Sequence, residues 1–179
     1  ISSSIQSNSS HSERHVGFLY NRQYSPNDSL YSLDIGKYRP SYTGNAQLSS
    51  DNDTDGNAIP FGGWVKIKIP YGIELTYITM YARKRNNDID ADSPLDWNIY
   101  GSNDDNSWTL IYEAINEVAI FSGTEFYINS SIPFKYFALV VTRANQIGYF
   151  NCHLAELSWH GVPKFYDFSN DETFRNFNF

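Results

Sequence analysis

The chain is a succession of short apolar or alternating segments, each separated from the next by a cluster of Asn, Asp, Gly, Ser or Pro. Within residues 63–69, Val65, Ile67 and Ile69 alternate with two lysines, and this period of two is typical of a half-buried strand. Further strand-like segments are 75–82, 97–100, 108–112, 125–128, 134–142 and 154–160. The clusters between them supply the residues that tight turns require. The pattern predicts an all-β protein, either a sandwich or a barrel.

Composition agrees with strands and excludes several classes of function. Aromatic residues make up 17% and charged residues only 18%, whereas surface helices favour Glu, Lys, Ala and Leu. The apolar run 137–141 is far shorter than the roughly 20 residues of a membrane-spanning helix, so we expect no membrane insertion. The net charge of −7 argues against nucleic acid, which requires positive potential. The single cysteine, Cys152, excludes an internal disulfide framework.

The character of the chain changes near both ends, which predicts three regions. Residues 1–15 are Ser-rich and aperiodic and form a predicted N-terminal arm. Residues 16–161 form the predicted sandwich, and residues 162–179 form an aromatic-rich C-terminal extension. The aromatic residues of the extension are Phe165, Tyr166, Phe168, Phe174, Phe177 and Phe179. Because exposing so many rings to water is costly, we expect them to pack on their own sandwich or on a neighbouring subunit.

Three segments carry a family resemblance. The first runs from 63–70 into 75–83, the second is Trp97-Asn-Ile-Tyr-Gly-Ser-Asn-Asp-Asp-Asn-Ser-Trp108, and the third is 134–142 followed by 154–161. Together they resemble the discoidin domain, also called the coagulation-factor type C domain, of the galactose-binding-like superfamily. The resemblance covers residues 61–161, and residues 16–60 only loosely. It departs from many members at Ala138, where they carry Arg, and in lacking a terminal disulfide.

The resemblance implies an antiparallel jelly-roll β-sandwich of about eight strands whose loops at one end bind ligands. In the family these ligands are most often glycans, sometimes phospholipid head groups or proteins, and the domain itself is not an enzyme. Independently, residues 97–108 predict a hairpin, because a polar six-residue turn joins two strands that each carry a large aromatic anchor.

The implied binding end combines loops near 38–42, 83–90 and 143–153. Sugar recognition requires an aromatic face for the pyranose ring together with Arg, Asn and His for its hydroxyls. The candidate ligand-binding residues are Tyr38, Arg39, Tyr42, Arg83, Arg85, Asn145, Tyr149, Phe150, Asn151 and His153. The alternative is that the aromatic side chains cap the open end of the sandwich while the arginines pair with Asp88 and Asp90.

A candidate calcium site lies in residues 51–56, Asp-Asn-Asp-Thr-Asp-Gly. Alternating carboxylates before a turn-forming glycine can direct oxygens at a hard cation. An EF-hand would require Glu at the twelfth position, where Gly62 stands, so that motif is excluded. The predicted metal ligands are Asp51, Asp53 and Asp55, with Glu156 added by the resemblance. The alternative is a solvated acidic turn.

Two functional hypotheses follow. The first is a non-catalytic, lectin-like or adhesive module that recognises a glycan or glycoprotein through its loops, with calcium as a structural cofactor. The second is a structural subunit of an extracellular or virion surface assembly, in which residues 162–179 contact neighbouring subunits. Both predict a location outside the cell, at the cell surface or on a virion. Catalysis is not expected, because the histidines are scattered and no nucleophile or metalloprotease motif occurs.

Overall fold

The computed structural model describes residues 47–82, 93–120, 122–145 and 154–164, and the backbone of 2–3, 31–34, 84–85, 88–89 and 151–153. All regular structure in these ranges is β, which confirms the predicted class. The strands are β1 (Ser2–Ser3), β2 (Tyr31–Asp34), β3 (Gly63–Ala82), β4 (Lys84–Arg85), β5 (Asp88–Ile89), β6 (Pro94–Ser102), β7 (Thr109–Ala114), β8 (Thr124–Tyr127), β9 (Phe134–Ala144) and β10 (Asn151–Lys164). The described residues include no helix long and apolar enough to cross a membrane.

Strand β3 organises the fold. It has 20 residues and unites the segments 63–69 and 75–82, which the sequence predicts as separate strands. Its first half pairs with β9 and β1, and its second half pairs with β10 and β8, all antiparallel. The register breaks between Lys68 and Ile73, so this stretch is a corner inside one strand rather than a turn between two.

The corner divides the eight-stranded sheet into two layers. The strand order is β2-β10-β3-β9-β6-β7, and β4 and β5 form a separate two-stranded pair. We call β7, β6, β9 and the first half of β3 the first layer, and β8, the second half of β3, β10 and β2 the second layer. Val65 of the first layer and Met80 and Leu157 of the second belong to one buried cluster, so the layers face each other as a sandwich.

The first layer is also buried on its outer side. A second apolar cluster there contains Ile59, Tyr100, Trp108, Ala138 and Val140. The segment 47–61 covers it, and the side chain of Gln47 donates to the Ile59 carbonyl at 2.7 Å. Strand β9 consequently has buried side chains on both faces from Phe137 to Val141. The alanine at position 138 fills a fully buried place in this cluster.

The hairpin predicted around the two tryptophans is formed by β6 and β7. Trp97 lies opposite Ala114, and Gly101 lies opposite Thr109. Trp97 and Trp108 are both buried, but Trp97 packs between the layers and Trp108 in the outer cluster. A Cβ atom at Gly101 would lie 2.4 Å from the Phe134 ring, so only glycine fits where the hairpin crosses that ring.

Regular structure extends into both predicted terminal regions. Strand β1 lies within the predicted N-terminal arm, and its two residues pair with Lys66 and Val65. Strand β10 continues beyond Gly161 to Lys164, whose ammonium group lies 3.1 Å from the Glu74 carboxylate. The remaining residues of the extension, 165–179, lie outside the described residues, so its predicted role in subunit contacts stays a prediction.

Candidate functional site

Four connections cross from one layer to the other at the end of the sandwich opposite the β3 corner. They are residues 83–93 between β3 and β6, 115–123 between β7 and β8, 145–150 between β9 and β10, and 35–62 between β2 and β3. We call them the crossing loops. The described part of the last one, 47–62, runs over the outer side of the first layer as far as the Trp108 carbonyl, which accepts the Thr54 amide at 2.8 Å. Because the first layer has the order β7-β6-β9-β3 and the second the order β8-β3-β10-β2, the strand ends that the crossing loops join follow one another in a row.

The bases of three crossing loops are joined by backbone pairing. Pro94 lies opposite Ala144, and the Asn145 amide donates to the Ser93 carbonyl at 2.9 Å. On the second layer, Ala82 lies opposite Leu154. Loop 83–93 therefore begins beside the place where loop 145–150 ends, and it ends beside the place where loop 145–150 begins.

The third of these loops, 35–62, begins beside the other two because the strand before it, β2, pairs with β10. Asp34, which leads into loop 35–62, lies opposite Asn151, directly after loop 145–150. The chain segments that carry the candidate ligand-binding residues thus leave the sandwich at one place.

The candidate residues within the described ranges lie along these bases. Asn145 is exposed directly after β9, and Arg85 lies in β4, where its backbone pairs with that of Asp88. Asn151 and His153 begin β10, and His153 lies opposite Ser32. The other candidates, Tyr38, Arg39, Tyr42, Arg83, Tyr149 and Phe150, lie outside the described residues, as does Asp90.

A cluster of three side chains fixes the remaining crossing loop, 115–123. The Arg143 guanidinium donates to both Asp96 carboxylate oxygens, one of them at 2.8 Å from Nη2, and to the Asn116 side-chain oxygen at 2.6 Å. The Asn116 amide also donates to Asp96, at 2.9 Å. We call Asp96, Asn116 and Arg143 the clamp. The Arg143 hydrogen bond is the main cause that lowers the pKa of the Asp96 carboxyl below its usual value.

Further contacts hold the same loop against β6. The Glu117 amide donates to the Leu95 carbonyl at 3.0 Å, and the Trp97 indole donates to the Glu117 carbonyl at 3.1 Å. The Tyr112 hydroxyl donates to the Glu117 carboxylate at 2.9 Å. Burial, together with this carboxylate, raises the pKa of Tyr112 to about 12. Sequence reasoning missed this loop, because its fixing contacts come from residues far apart in the chain.

The predicted metal ligands are not brought together. Asp53 is buried, and its Oδ1 accepts the amides of Asp55 at 3.0 Å and Asn57 at 2.7 Å, while Asp51 and Asp55 are exposed. Glu156 lies on β10 in the second layer, where it accepts the Ser158 hydroxyl at 3.3 Å. Across the described ranges, no group of three or more His, Cys, Asp or Glu is able to hold a metal ion. Calcium binding stays a prediction.

Comparisons with known proteins support the fold. No protein-family model matches the sequence, and no curated protein matches it. Among solved structures, the GH31 CBM32-2 module bound to GalNAc matches with a TM-score of 0.55 and 12% identity, over 84% of this chain and 90% of that one. The family 32 carbohydrate-binding module of Streptococcus pneumoniae EndoD gives a TM-score of 0.47 and 17% identity, over 56% and 70%. CBM62 of Clostridium thermocellum Xyl5A gives 0.43 and 17%, over 57% and 70%.

The likeness to the GH31 CBM32-2 module confirms the β-sandwich fold that the three sequence motifs indicate. The chain and that module share an antiparallel β-sandwich fold. At 12% identity this match is a likeness of fold alone. Which ligand the crossing loops bind is a separate question that depends on their own residues.

Proposed function

We propose that this chain is a non-catalytic carbohydrate-binding module that binds glycans at the crossing loops. The observation that carries the proposal is the backbone pairing of Pro94 with Ala144, Ala82 with Leu154, and Asp34 with Asn151. This pairing brings together the strand ends from which the loops with the aromatic, Arg, Asn and His candidates leave. The GalNAc-bound module with the same fold supports a sugar as the ligand.

The residue types of these loops suit a pyranose ring. Sugar hydroxyls both donate and accept hydrogen bonds, and Asn and His side chains can do the same, whereas Arg only donates. Tyrosine and phenylalanine rings cover the apolar face of the sugar and need no charged partner. Tyr38, Tyr42, Tyr149 and Phe150 supply such rings in loops 35–62 and 145–150.

The residues beneath these loops, which we call the floor, are held in place by burial and hydrogen bonds. Ser93 is buried and Trp97 is fully buried, and Asn145 hydrogen-bonds to Ser93 through its backbone. Arg143 lies in one of the candidate loop segments, yet its guanidinium is engaged by Asp96 and Asn116. We therefore assign Arg143 to the floor and leave ligand contact to the residues beyond it. A fixed floor lowers the ordering cost of binding.

The test is a calorimetric titration with galactose and GalNAc after a glycan-array screen, each in calcium and in a chelator. We expect sugar binding that weakens about tenfold or more in the Asn145→Ala/His153→Ala variant, because one lost hydrogen bond to a sugar costs about 1 kcal/mol. The Asn106→Ala variant, changed at an exposed turn at the opposite end, should bind like the wild type. No binding of any glycan by the folded protein at high concentration would contradict the proposal.

A further inference from the structure

We infer that loop 115–123 forms the outer wall of the proposed glycan site, and that its exposed isoleucines contact an apolar substituent of the bound sugar, such as an N-acetyl methyl group. This inference rests on the proposed function and adds a specificity determinant to it. No sequence motif points to this loop. Three features of the loop support this role: its position, the contacts that hold it and the side chains that it exposes.

The loop adjoins the candidate loop 83–93 at both of that loop's ends. The Ala82 amide, directly before loop 83–93, donates to the Ile120 carbonyl at 3.1 Å. The Leu95 carbonyl, shortly after that loop, accepts the Glu117 amide at 3.0 Å. Two backbone hydrogen bonds thus set loop 115–123 beside the strand residues at which loop 83–93, the loop of Arg83 and Arg85, begins and ends.

The loop is rigid where it makes these contacts. The clamp holds Asn116, which has a positive φ of 59°, through its amide and its side chain. Ala119 is buried in the main core, and the Ile120 amide donates to the Thr124 hydroxyl at 3.0 Å. The side chains exposed between these fixed points are therefore already placed before a ligand arrives.

Two of the side chains that the described part of this loop exposes are aliphatic, and the other two, Asn116 of the clamp and Ser122, are polar. Ile115 is 63% exposed and Ile120 is 43% exposed. An isoleucine offers no hydrogen-bond partner, so covering a sugar hydroxyl with it would leave that hydroxyl unpaired. A methyl group carries no such penalty and gains from leaving water. The wall therefore favours a sugar with an acetamido group over the parent hexose.

The test compares GalNAc with galactose, which differ in one acetamido group, by calorimetry on the wild type, Ile120→Ser and Ile115→Ser/Ile120→Ser. We expect the Kd for GalNAc to rise about tenfold in the double variant, whereas the Kd for galactose changes less than about twofold, since small apolar contacts discriminate by roughly 10-fold or more. Ile132→Ser is the matched control, because Ile132 is 52% exposed between β8 and β9 at the opposite end.

The possible results of this calorimetric comparison lead to different conclusions about the wall. A selective loss of GalNAc affinity in the isoleucine variants, with an unchanged Ile132→Ser control and unchanged circular dichroism, supports the wall. Unchanged GalNAc affinity in the double variant overturns the wall and leaves the proposed function standing. Equal losses for both sugars overturn the acetamido contact. A wild type that binds neither sugar overturns the wall, and the glycan-array screen then decides separately whether the proposed function stands.

Discussion

The turn between β6 and β7 and the crossing loop between β7 and β8 are each fixed by an aspartate of their own, but the two aspartates have different hydrogen-bond partners. Asp104 accepts the amides of Asn106 at 2.9 Å and Ser107 at 2.8 Å, and the hydroxyls of Ser102 and Ser107, each at 3.0 Å. All of these partners lie within three residues along the chain. Asp96 instead accepts from Asn116 and Arg143, which are 20 and 47 residues away.

The difference shows that the turn at one end of the sandwich is fixed by contacts within a short stretch of chain, whereas the loop at the other end is fixed by contacts between strands. Backbone amides are the main cause that lowers the pKa of Asp104, whereas the Arg143 side chain is the main cause for Asp96. The turn is therefore an autonomous unit, typical of Asp in an Asx turn. The loop exists in its present form only when β6, β9 and β7 are assembled.

The largest expected effect separates the two tryptophans. Trp97→Ala and Trp108→Ala should each lower the free energy of unfolding by about 3–5 kcal/mol, because each leaves a large cavity. Only Trp97 donates to loop 115–123, through the Glu117 carbonyl. Urea unfolding measures the stabilities, and titration of the folded variants should show weaker sugar binding for Trp97→Ala alone. Equal losses of affinity in both variants would remove the distinction between the two ends.

A smaller effect is expected from removing the aspartates themselves. Asp96→Ala leaves the Arg143 guanidinium without its carboxylate, so we expect a loss of about 2 kcal/mol in unfolding free energy, in the range for hydrogen bonds to charged groups. It should also weaken sugar binding, because loop 115–123 loses its clamp. Asp104→Ala should lower the melting temperature and leave binding unchanged. Calorimetry on both proteins checks this pair, and weaker binding by the Asp104→Ala variant would contradict it.

The smallest effect concerns pH. Because the folded state lowers the pKa of Asp96, the unfolded chain binds this proton more readily, and the stabilisation is present above pH about 4 and is lost as pH falls below it. The fall in unfolding free energy between pH about 5 and 3 should be shallower in Asp96→Asn than in the wild type. Urea titrations across this range test the slope, and an equally steep fall in both proteins would show that Asp96 contributes nothing to it.

Local features of the fold were predictable from the sequence, and long-range ones were not. The hairpin from Trp97 to Trp108 follows from alternation and turn residues that act within a dozen positions. The continuity of β3 was missed, since a corner at 68–73 and a turn between two strands carry the same local signal. No periodicity connects Asp96 with Arg143, so the clamp could not be predicted from the sequence either.

The acidic loop shows the same limit at short range. The alternating aspartates of residues 51–56 indicated convergent oxygens, yet the turn buries Asp53 to accept two amides and exposes Asp51 and Asp55. Alternation in a strand determines which side chains share a face, but alternation in a turn does not, because each residue has its own backbone conformation. The direction of these carboxylates had to come from the structure.

The most direct measurement of the central claim is a nuclear magnetic resonance titration of the isotope-labelled chain with GalNAc. Binding at the crossing loops predicts that amide shifts of residues 35–46, 83–93, 115–123 and 145–150 change with the sugar concentration, while those of the turn 102–108 stay constant. Changes concentrated at the turn 102–108, or no changes at saturating sugar, would contradict the account.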